Sequence, residues 1–443
     1  MARPSKTSLE ELSKRVARVS RSEGVTAREA QAAVAGEYGF PDWQKLKAYV
    51  QRITRNGPKL QHTYRADTSY YEDRVRGLLT AAQNGERGVA AAFERWNADL
   101  DGVGARTVIA REHGFGSWTA LLAHVVALAE NGEPFARAYQ AVEAHDEDRL
   151  AALLTQFPEL AKARGTNGND LLSMAVAAGD ESLTRLLLTD GGSPSRANTH
   201  GWTALHQAAY IGRPSLAKLL LDAGARTDVS GRGDGGTPLV VALYWGHRET
   251  AALLARHDLA PGNLRVAAGL GRDSLVRTLL AKDGEPTAEA GAHRAFYRPN
   301  GGFPDWRPSK GAAEIRDEAL AWAARNDRVR TLELLVRRGA DVNADVYRGT
   351  ALAWAAATGR AESVRKLIEL GADVNQLGTF GSTGHGSGIT ALHLAVQGDN
   401  VDVVHALLDA GADRSIQDEL YGDTPAGWAE QAGSTAVLEL LQG

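Results

Sequence analysis

The sequence predicts an all-α protein: a solenoid of helix-turn-helix repeats with hairpin fingers, preceded by a small helical module. Three observations lead to this fold class. The chain has 443 residues, more than one hydrophobic core usually holds, so it consists of several domains or of an array that adds core unit by unit. A Thr-Ala-Leu motif followed by small residues and Gly recurs along its C-terminal part. The apolar residues of each copy are spaced as on amphipathic helices.

The recurring segment is clearest in three copies. Gly201-Trp-Thr-Ala-Leu-His-Gln-Ala-Ala-Tyr-Ile-Gly212 matches Gly388-Ile-Thr-Ala-Leu-His-Leu-Ala-Val-Gln-Gly398 and Gly349-Thr-Ala-Leu-Ala-Trp-Ala-Ala-Ala-Thr-Gly359. Each copy continues into a second apolar stretch that closes with Gly-Ala, as in Leu219-Leu-Leu-Asp-Ala-Gly-Ala225 and Leu407-Leu-Asp-Ala-Gly-Ala412. The repeating unit is therefore a pair of apolar stretches, each ended by glycine.

The residue types of one unit predict two helices. Thr203 is a candidate N-cap, because its hydroxyl can accept from a free amide of the first turn. Gly212 ends the first helix where a positive φ is expected, and Gly224 ends the second. The apolar residues lie at helical spacing and are small in the first helix, which permits close packing: Ala204, Leu205, Ala208, Ala209, Leu216, Leu219 and Leu220. One such unit cannot bury its own core, so the units must stack.

This pattern resembles the ankyrin repeat, which has a 33-residue period and a Thr-Pro-Leu-His-x-Ala core. Here Gly168 and Gly201 are 33 residues apart, and Gly388 and Gly422 are 34 residues apart. The resemblance implies a protein-binding array whose partners meet the hairpin fingers and the exposed end of the first helix of each unit. It covers roughly the last 300 residues, in about nine units, with divergent caps at both ends.

The chain divides into three parts by composition and pattern. Residues 1–62 form a basic N-terminal helical module, residues 63–133 a second helical module, and residues 134–443 the solenoid. The two N-terminal modules share a duplicated corner: Ala35-Gly-Glu-Tyr-Gly-Phe-Pro-Asp-Trp43 matches Ala110-Arg-Glu-His-Gly-Phe-Gly-Ser-Trp118. Each copy predicts a helix, a Gly stop and a new helix capped by Asp42 or Ser117. The corner resembles Gly-Phe-x-x-Trp helical segments that precede ankyrin repeats in some bacterial proteins.

An insertion at 285–314 interrupts the array between its fifth and sixth units. It is rich in Gly, Pro and aromatic residues, including Phe296, Tyr297, Phe303 and Trp306. A loop this long in a regular array is either functional or disordered, and the aromatic residues favour order. Two interpretations of the insertion are open: it is a contact surface, or it is a spacer that fills a gap. A catalytic role would require a concave pocket with convergent titratable groups near Trp306.

Two glycine-rich stretches do not predict nucleotide binding. The stretch 377–388 has no Lys after its last Gly and no preceding strand, so it lengthens one finger. Gly231-Arg-Gly-Asp-Gly-Gly236 follows no strand either and predicts a tight finger turn.

The amino-acid composition excludes several types of site and indicates a cellular compartment. The chain has no cysteine, which excludes disulfides, thiolate catalysis and Cys-based zinc sites, and favours a reducing cytoplasm. We find no signal peptide and no apolar run of the length that spans a bilayer. Arginine outnumbers lysine by 40 to 10, which we interpret as a sign of a GC-rich bacterial genome.

Charge is unevenly distributed. The net charge is −4, but residues 1–62 hold 12 Lys and Arg against 6 Asp and Glu. Such a basic segment can contact nucleic acid, and a solvated helix face gives the same count.

We predict no enzymatic chemistry, no metal site and no cofactor. His206 and His393 occupy the Leu-His position of the repeat, where the resemblance implies a structural hydrogen bond. Trp322, Trp354 and Trp428 lie next to that position and are predicted core residues. No protease, hydrolase or kinase motif is present.

The predicted function is that of a non-catalytic scaffold or adaptor that binds another protein. The alternative is a nucleic-acid-associated regulator that binds through the basic N-terminal helices. For Tyr244 and Trp245, packing between repeats is an equally open interpretation. Carried over by position, the resemblance implicates these candidate partner-binding residues: Thr199, His200, Trp202, Tyr210, Tyr244, Trp245, Tyr347, Arg348, Thr358 and Gln397.

Overall fold

The fold is taken from a computed structural model of the chain. It describes residues 16–17, 19–20, 25–37, 43, 47, 68–83, 89–113, 115–131, 134–165, 168–198, 200–257, 262–297, 307–347, 349–378, 388–419 and 422–442. These residues form an all-helical repeat array with an N-terminal helical region. None of the described helices has both the length and the apolar character needed to cross a membrane.

The chain falls into two compact units. Unit 1 comprises Met1–Arg226 with Pro299–Asp305, and unit 2 comprises Thr227–Arg298 with Trp306–Gly443. The helices of unit 1 are α1 Ala27–Glu37, α2 Thr68–Gln83, α3 Val89–Arg95, α4 Gly102–Glu112, α5 Trp118–Asn131, α6 Pro134–Glu143, α7 Glu147–Gln156, α8 Leu171–Ala177, α9 Glu181–Thr189, α10 Ala204–Ile211 and α11 Pro214–Asp222.

Unit 2 holds the remaining helices of the array. They are α12 Pro238–Tyr244, α13 Arg248–Leu254, α14 Leu264–Leu270, α15 Asp273–Leu279, α16 Ala312–Arg325, α17 Val329–Arg337, α18 Ala351–Ala357, α19 Ala361–Glu369, α20 Ala391–Gln397, α21 Val401–Asp409, α22 Pro425–Ala432 and α23 Thr435–Gln442. The described residues between 134 and 442 thus form nine helix pairs, in agreement with the predicted number of units.

The second copy of the duplicated corner joins α4 to α5. Ser117 accepts a hydrogen bond from the amide of Ala120 at 3.2 Å, as expected of an N-cap. Phe115 and Trp118 pack against a core that includes Tyr71 and Phe93. In the first copy, Trp43 packs against a small cluster around Val34, whereas Phe40 and Asp42 lie outside the described residues.

The repeats begin with the predicted caps. Thr203 accepts from the amide of His206 at 3.3 Å, and its own amide donates to Nδ1 of His206 at 3.1 Å. Gly212 ends α10 with a φ of 67°. These reciprocal bonds satisfy two amides of the first turn, so the start and end of the helix are set locally.

The described residues include parts of two hairpin fingers between helix pairs. The bridge between Gly378 and Ile389 closes the long glycine-rich finger, whose tip at 379–387 lies outside the described residues. The amide of Gly231 donates to the carbonyl of Gly236 at 2.9 Å. This bond makes the stretch 231–236 the tight turn that the sequence predicts.

Unit 2 departs from a simple stack at α12. In a linear array each pair contacts its neighbours only. Helix α12 packs against α14 and α16, and its C-terminal Tyr244 reaches Trp354 on α18, at 5.4 Å between ring centroids. The pair α12–α13 therefore contacts a pair three places further along the chain.

Candidate partner-binding surfaces

Two of the candidate residues, Trp202 and Tyr210, lie together beside α10 in unit 1. Trp202 is 5% exposed and donates from Nε1 to Oε1 of Gln207 at 3.2 Å. Its ring lies 6.4 Å from that of Tyr210, edge to face. Tyr210 and His200 are partly exposed, and the amide of His200 donates to Asn198. The structure brings Trp202, Gln207 and Tyr210 onto one face, while Thr199 lies outside the described residues.

Tyr244 lies in the core of unit 2. It is 5% exposed and its ring contacts those of Phe296 and Trp322. The guanidinium of Arg325 lies 4.8 Å from the Tyr244 ring and 3.6 Å from the Trp354 ring. Packing between repeats is therefore the correct interpretation for Tyr244, whose side chain is not on the surface, because α12 packs against α16.

The other candidates of unit 2 lie on several elements and differ in exposure. Trp245 is partly exposed and packs edge to face on Tyr244. Thr358, at the end of α18, donates its hydroxyl to the carbonyl of Trp354 at 2.7 Å. Tyr347 is partly exposed in a finger, and Gln397 is exposed at the end of α20. Arg348 lies outside the described residues.

The two Leu-His histidines are structural. Both are fully buried. His393 accepts the amide of Thr390 at Nδ1, and its Nε2 donates to the carbonyl of Asp423 in the next pair, at 3.2 Å. Burial lowers the pKa of His393, because it disfavours the charged imidazolium. The predicted core positions of Trp322, Trp354 and Trp428 are also confirmed, since each is at most 8% exposed.

A buried charge network joins the insertion to α14 and α16. The repeat pattern does not predict this network. Arg265 on α14 donates to Glu318 on α16 at 2.8 Å, and Arg294 of the insertion binds the other carboxylate oxygen of Glu318. Arg294 also donates to Glu314 at 2.9 Å and to the carbonyl of Ser309 at 2.8 Å. Burial alone would raise the pKa of Glu318, but Arg265 and Arg294 outweigh it and the pKa lies below the usual value.

One signal for this network is present in the sequence. Arg265 follows the N-cap Asn263 by two residues and therefore stands at the position that Leu205 and Leu392 hold in other units. A buried arginine at this apolar position requires an anion. Its partner Glu318 lies 53 residues further on, beyond the reach of the repeat pattern.

The described part of the insertion lies against the finger 231–236. A Cβ atom at Gly235 would lie 2.1 Å from the carbonyl oxygen of His293, so only glycine allows this approach. Asp234 and His293 also form an exposed pair at 2.8 Å. The described residues around Ser309 and Glu314 are engaged by Arg294, while Trp306 lies outside the described residues.

An acidic residue near this network should make stability depend on pH. Burial, with a contribution from Asp341, raises the pKa of Asp317 to about 6. A carboxyl group whose pKa is raised on folding destabilises the native state once it ionises, so the cost is absent below about pH 4 and complete above about pH 6.

We therefore expect Asp317→Asn to increase the free energy of unfolding by about 1 to 3 kcal/mol at pH 7.5, with the gain shrinking as the pH falls towards 4. Guanidinium denaturation at a series of pH values measures this. The exposed finger residue Asp373 offers the control, since Asp373→Asn should change stability little at either end. A gain at position 317 that is constant with pH would contradict the explanation.

Among the described residues, no group of three or more His, Cys, Asp or Glu side chains has an arrangement that could hold a metal ion.

Comparison with protein families identifies the repeats. A model of ankyrin repeats matches residues 139–231, 172–265 and 299–377, and a model of the single ankyrin repeat matches residues 387–419. Together the matches cover more than half of the chain. No catalytic domain is among the models that match.

Several curated proteins share the repeat region. The chain is 36% identical over 124 residues to the E3 ubiquitin-protein ligase Ufd4 of Drosophila melanogaster, covering 27% of this chain and 4% of that protein. It is 34% identical over 110 residues to Protein PhlB of Serratia liquefaciens, covering 25% and 48% respectively. A putative ankyrin repeat-containing protein of Treponema pallidum is 32% identical over 102 residues, covering 23% and 34%. The chain thus spans less than half the length of each of these relatives.

Proposed function

Because the chain is an ankyrin repeat-containing protein, we propose that it is a non-catalytic scaffold or adaptor that binds another protein. Ankyrin repeats are typical protein-binding modules, and this array carries no recognised catalytic domain beside them. The proposal includes a bacterial cytoplasmic setting, to which the arginine-rich and cysteine-free composition points. It also retains the three parts 1–62, 63–133 and 134–443.

The observation that carries the proposal is the surface that the partly exposed Gln207 and Tyr210 form over the buried ring of Trp202. We call it the aromatic surface of α10. It combines a nearly buried indole, a polar amide and a partly exposed phenol. Tyrosine and tryptophan supply large contact areas at low entropic cost and are enriched where interfaces concentrate their energy.

Unit 2 differs in this respect. There the aromatic side chains Trp322 and Trp354 are covered by α12 and are at most 1% exposed. Trp245, which directly follows α12, is partly exposed. We therefore assign the principal partner contact to the aromatic surface of α10.

A pull-down from host lysate with a photo-crosslinker near α10 tests this assignment. Tyr210→Ala should weaken capture of the partner about tenfold or more, because truncating an interface tyrosine commonly costs at least 1 to 2 kcal/mol. The matched control is Lys218→Ala on α11, the second helix of the same pair, which removes a 65% exposed side chain and should leave capture unchanged.

The competing hypothesis has its own outcome in the same experiment. Salt-sensitive capture of DNA or RNA that disappears on deletion of residues 1–62 would favour a nucleic-acid-associated regulator. Equal capture of one protein by the intact chain and by Tyr210→Ala would remove the aromatic surface of α10 from the proposal.

A further inference from the structure

Three arginines of unit 2 lie near one aspartate at the turns between the helices of their pairs. Arg248 is the first residue of α13, and Arg328 and Arg360 directly precede α17 and α19. Asp327 lies in the turn before α17 with a φ of 59°. Arg248 and Asp327 are 79 residues apart in sequence. We call Arg248, Arg328 and Arg360 the three-arginine cluster.

The single carboxylate of this group is already shared. Oδ2 of Asp327 accepts from Arg248 at 3.0 Å. Oδ1 accepts from the amide and the hydroxyl of Ser363, at 3.3 Å and 2.9 Å. Asp327 thereby also caps the N-terminus of α19, so it cannot neutralise all three guanidinium groups.

The balance of charge in the cluster is positive. Burial lowers the pKa values of Arg328 and Arg360, and repulsion from Arg248 lowers both further, against the attraction of Asp327. Asp327 is the carboxylate that acts on all three guanidinium groups, through its bond to Arg248 and its attraction for Arg328 and Arg360. Three positive charges therefore face one negative charge.

The guanidinium groups keep unused donors. Nε of Arg328 donates to the carbonyl of Gly269 at 3.0 Å, and Arg360 donates to the carbonyls of Arg325 and Gly246. Arg248 binds Asp327 through one nitrogen. Within the described residues, the other nitrogens of these three side chains have no protein partner, and none of them is enclosed. The side chain of Arg248 is 41% exposed.

We propose that the three-arginine cluster binds a phosphoryl group. Guanidinium forks bind phosphate oxygens in pairs, and a phosphate monoester carries about −1.5 to −2 charges at neutral pH. This charge matches the excess of the cluster. The carbonyl bonds of Arg328 and Arg360 hold their side chains in place, so little side-chain entropy is lost on binding. This site lies at the helix-to-helix turns and is distinct from the aromatic surface of α10.

Thermal denaturation with sodium phosphate against sodium chloride at equal ionic strength tests the site in the intact chain. Phosphate should raise the melting temperature, and Arg248→Gln should weaken the apparent affinity at least tenfold, since it removes charge-assisted hydrogen bonds. The matched control is Arg272→Gln, which removes the same charge from the exposed residue before α15, the position that Arg328 and Arg360 hold in their own pairs. Circular dichroism verifies that both variants are folded.

A fluorescein-labelled pentapeptide Ala-Ala-phosphoserine-Ala-Ala and its unphosphorylated form separate the two sources of the group. Binding of the phosphopeptide at least tenfold tighter than free phosphate indicates a modified protein as the source, and equal binding indicates a small phosphorylated molecule. Either result supports the site when Arg248→Gln weakens the binding at least tenfold. Failure of phosphate to stabilise the chain, or an equal loss in Arg272→Gln, would overturn the proposal.

Discussion

Glu318→Ala should lower the free energy of unfolding of unit 2 by about 3 to 5 kcal/mol. The substitution removes the one carboxylate that both Arg265 and Arg294 contact, and the three side chains are at most 3% exposed. Two buried guanidinium groups would remain without their common partner. Removing one member of a buried ion network lowers stability strongly, because it leaves an uncompensated buried charge. Replacing the whole network with apolar residues would change stability far less.

Denaturant unfolding followed by circular dichroism measures the loss, and hydrogen exchange of residues 289–297 locates it. Because Arg294 ties the insertion to α16, exchange in that segment should accelerate in the variant. Glu314→Ala is the matched control. It removes a carboxylate that binds Arg294 from the rim of the network, where the side chain is 24% exposed, so its cost should be about 1 kcal/mol. Equal losses at the two positions would contradict a buried network centred on Glu318.

Tyr244→Ala should cost about 3 to 5 kcal/mol, as for other large buried aromatic side chains. The ring fills space between Phe296, Trp322 and Trp354, and it covers the guanidinium of Arg325. Its loss leaves a cavity and weakens a desolvated cation–π contact. The neighbouring Trp245 is partly exposed, and Trp245→Ala should cost clearly less although it removes the larger side chain.

Chemical denaturation of the two variants side by side decides this prediction. A smaller loss for Tyr244→Ala than for Trp245→Ala would mean that α12 does not pack against α16 and α18 as described. The result also bears on binding experiments. Reduced binding by a Tyr244 variant could result from unfolding or from loss of a partner contact. A Tyr210 variant avoids this ambiguity, because it alters a partly exposed side chain.

The contact of α12 with α18 has a further consequence for folding. In a linear array stability is a sum of unit and neighbour terms, and the end units can unfold alone. The bonds from Arg325 to the carbonyl of Tyr244 and from Arg360 to the carbonyl of Gly246 join pairs that are not sequence neighbours. Unit 2 should therefore unfold more cooperatively than a simple stack of the same length.

The local features of this protein were predictable from the sequence alone. The 33-residue period, the Thr203 and His206 cap, the tight turn at 231–236 and the buried tryptophans all follow from residue types at short spacing. Each of these features depends on hydrogen bonds or packing within one unit or with the next one. Because the repeat unit cannot bury its core alone, its pattern also determines that the units stack.

The tertiary structure alone decided which side chains of distant units meet. Tyr244 is in the core because α12 packs against α16, and Glu318 is paired because it lies opposite Arg265 and Arg294. The three-arginine cluster likewise joins Arg248 to Asp327 across 79 residues. A repeat pattern encodes contacts between neighbouring units. It carries no information on the contacts of α12 with α16 and α18, or on those of the insertion with α16. The burial of Tyr244 and the charges of the cluster depend on such contacts between distant units.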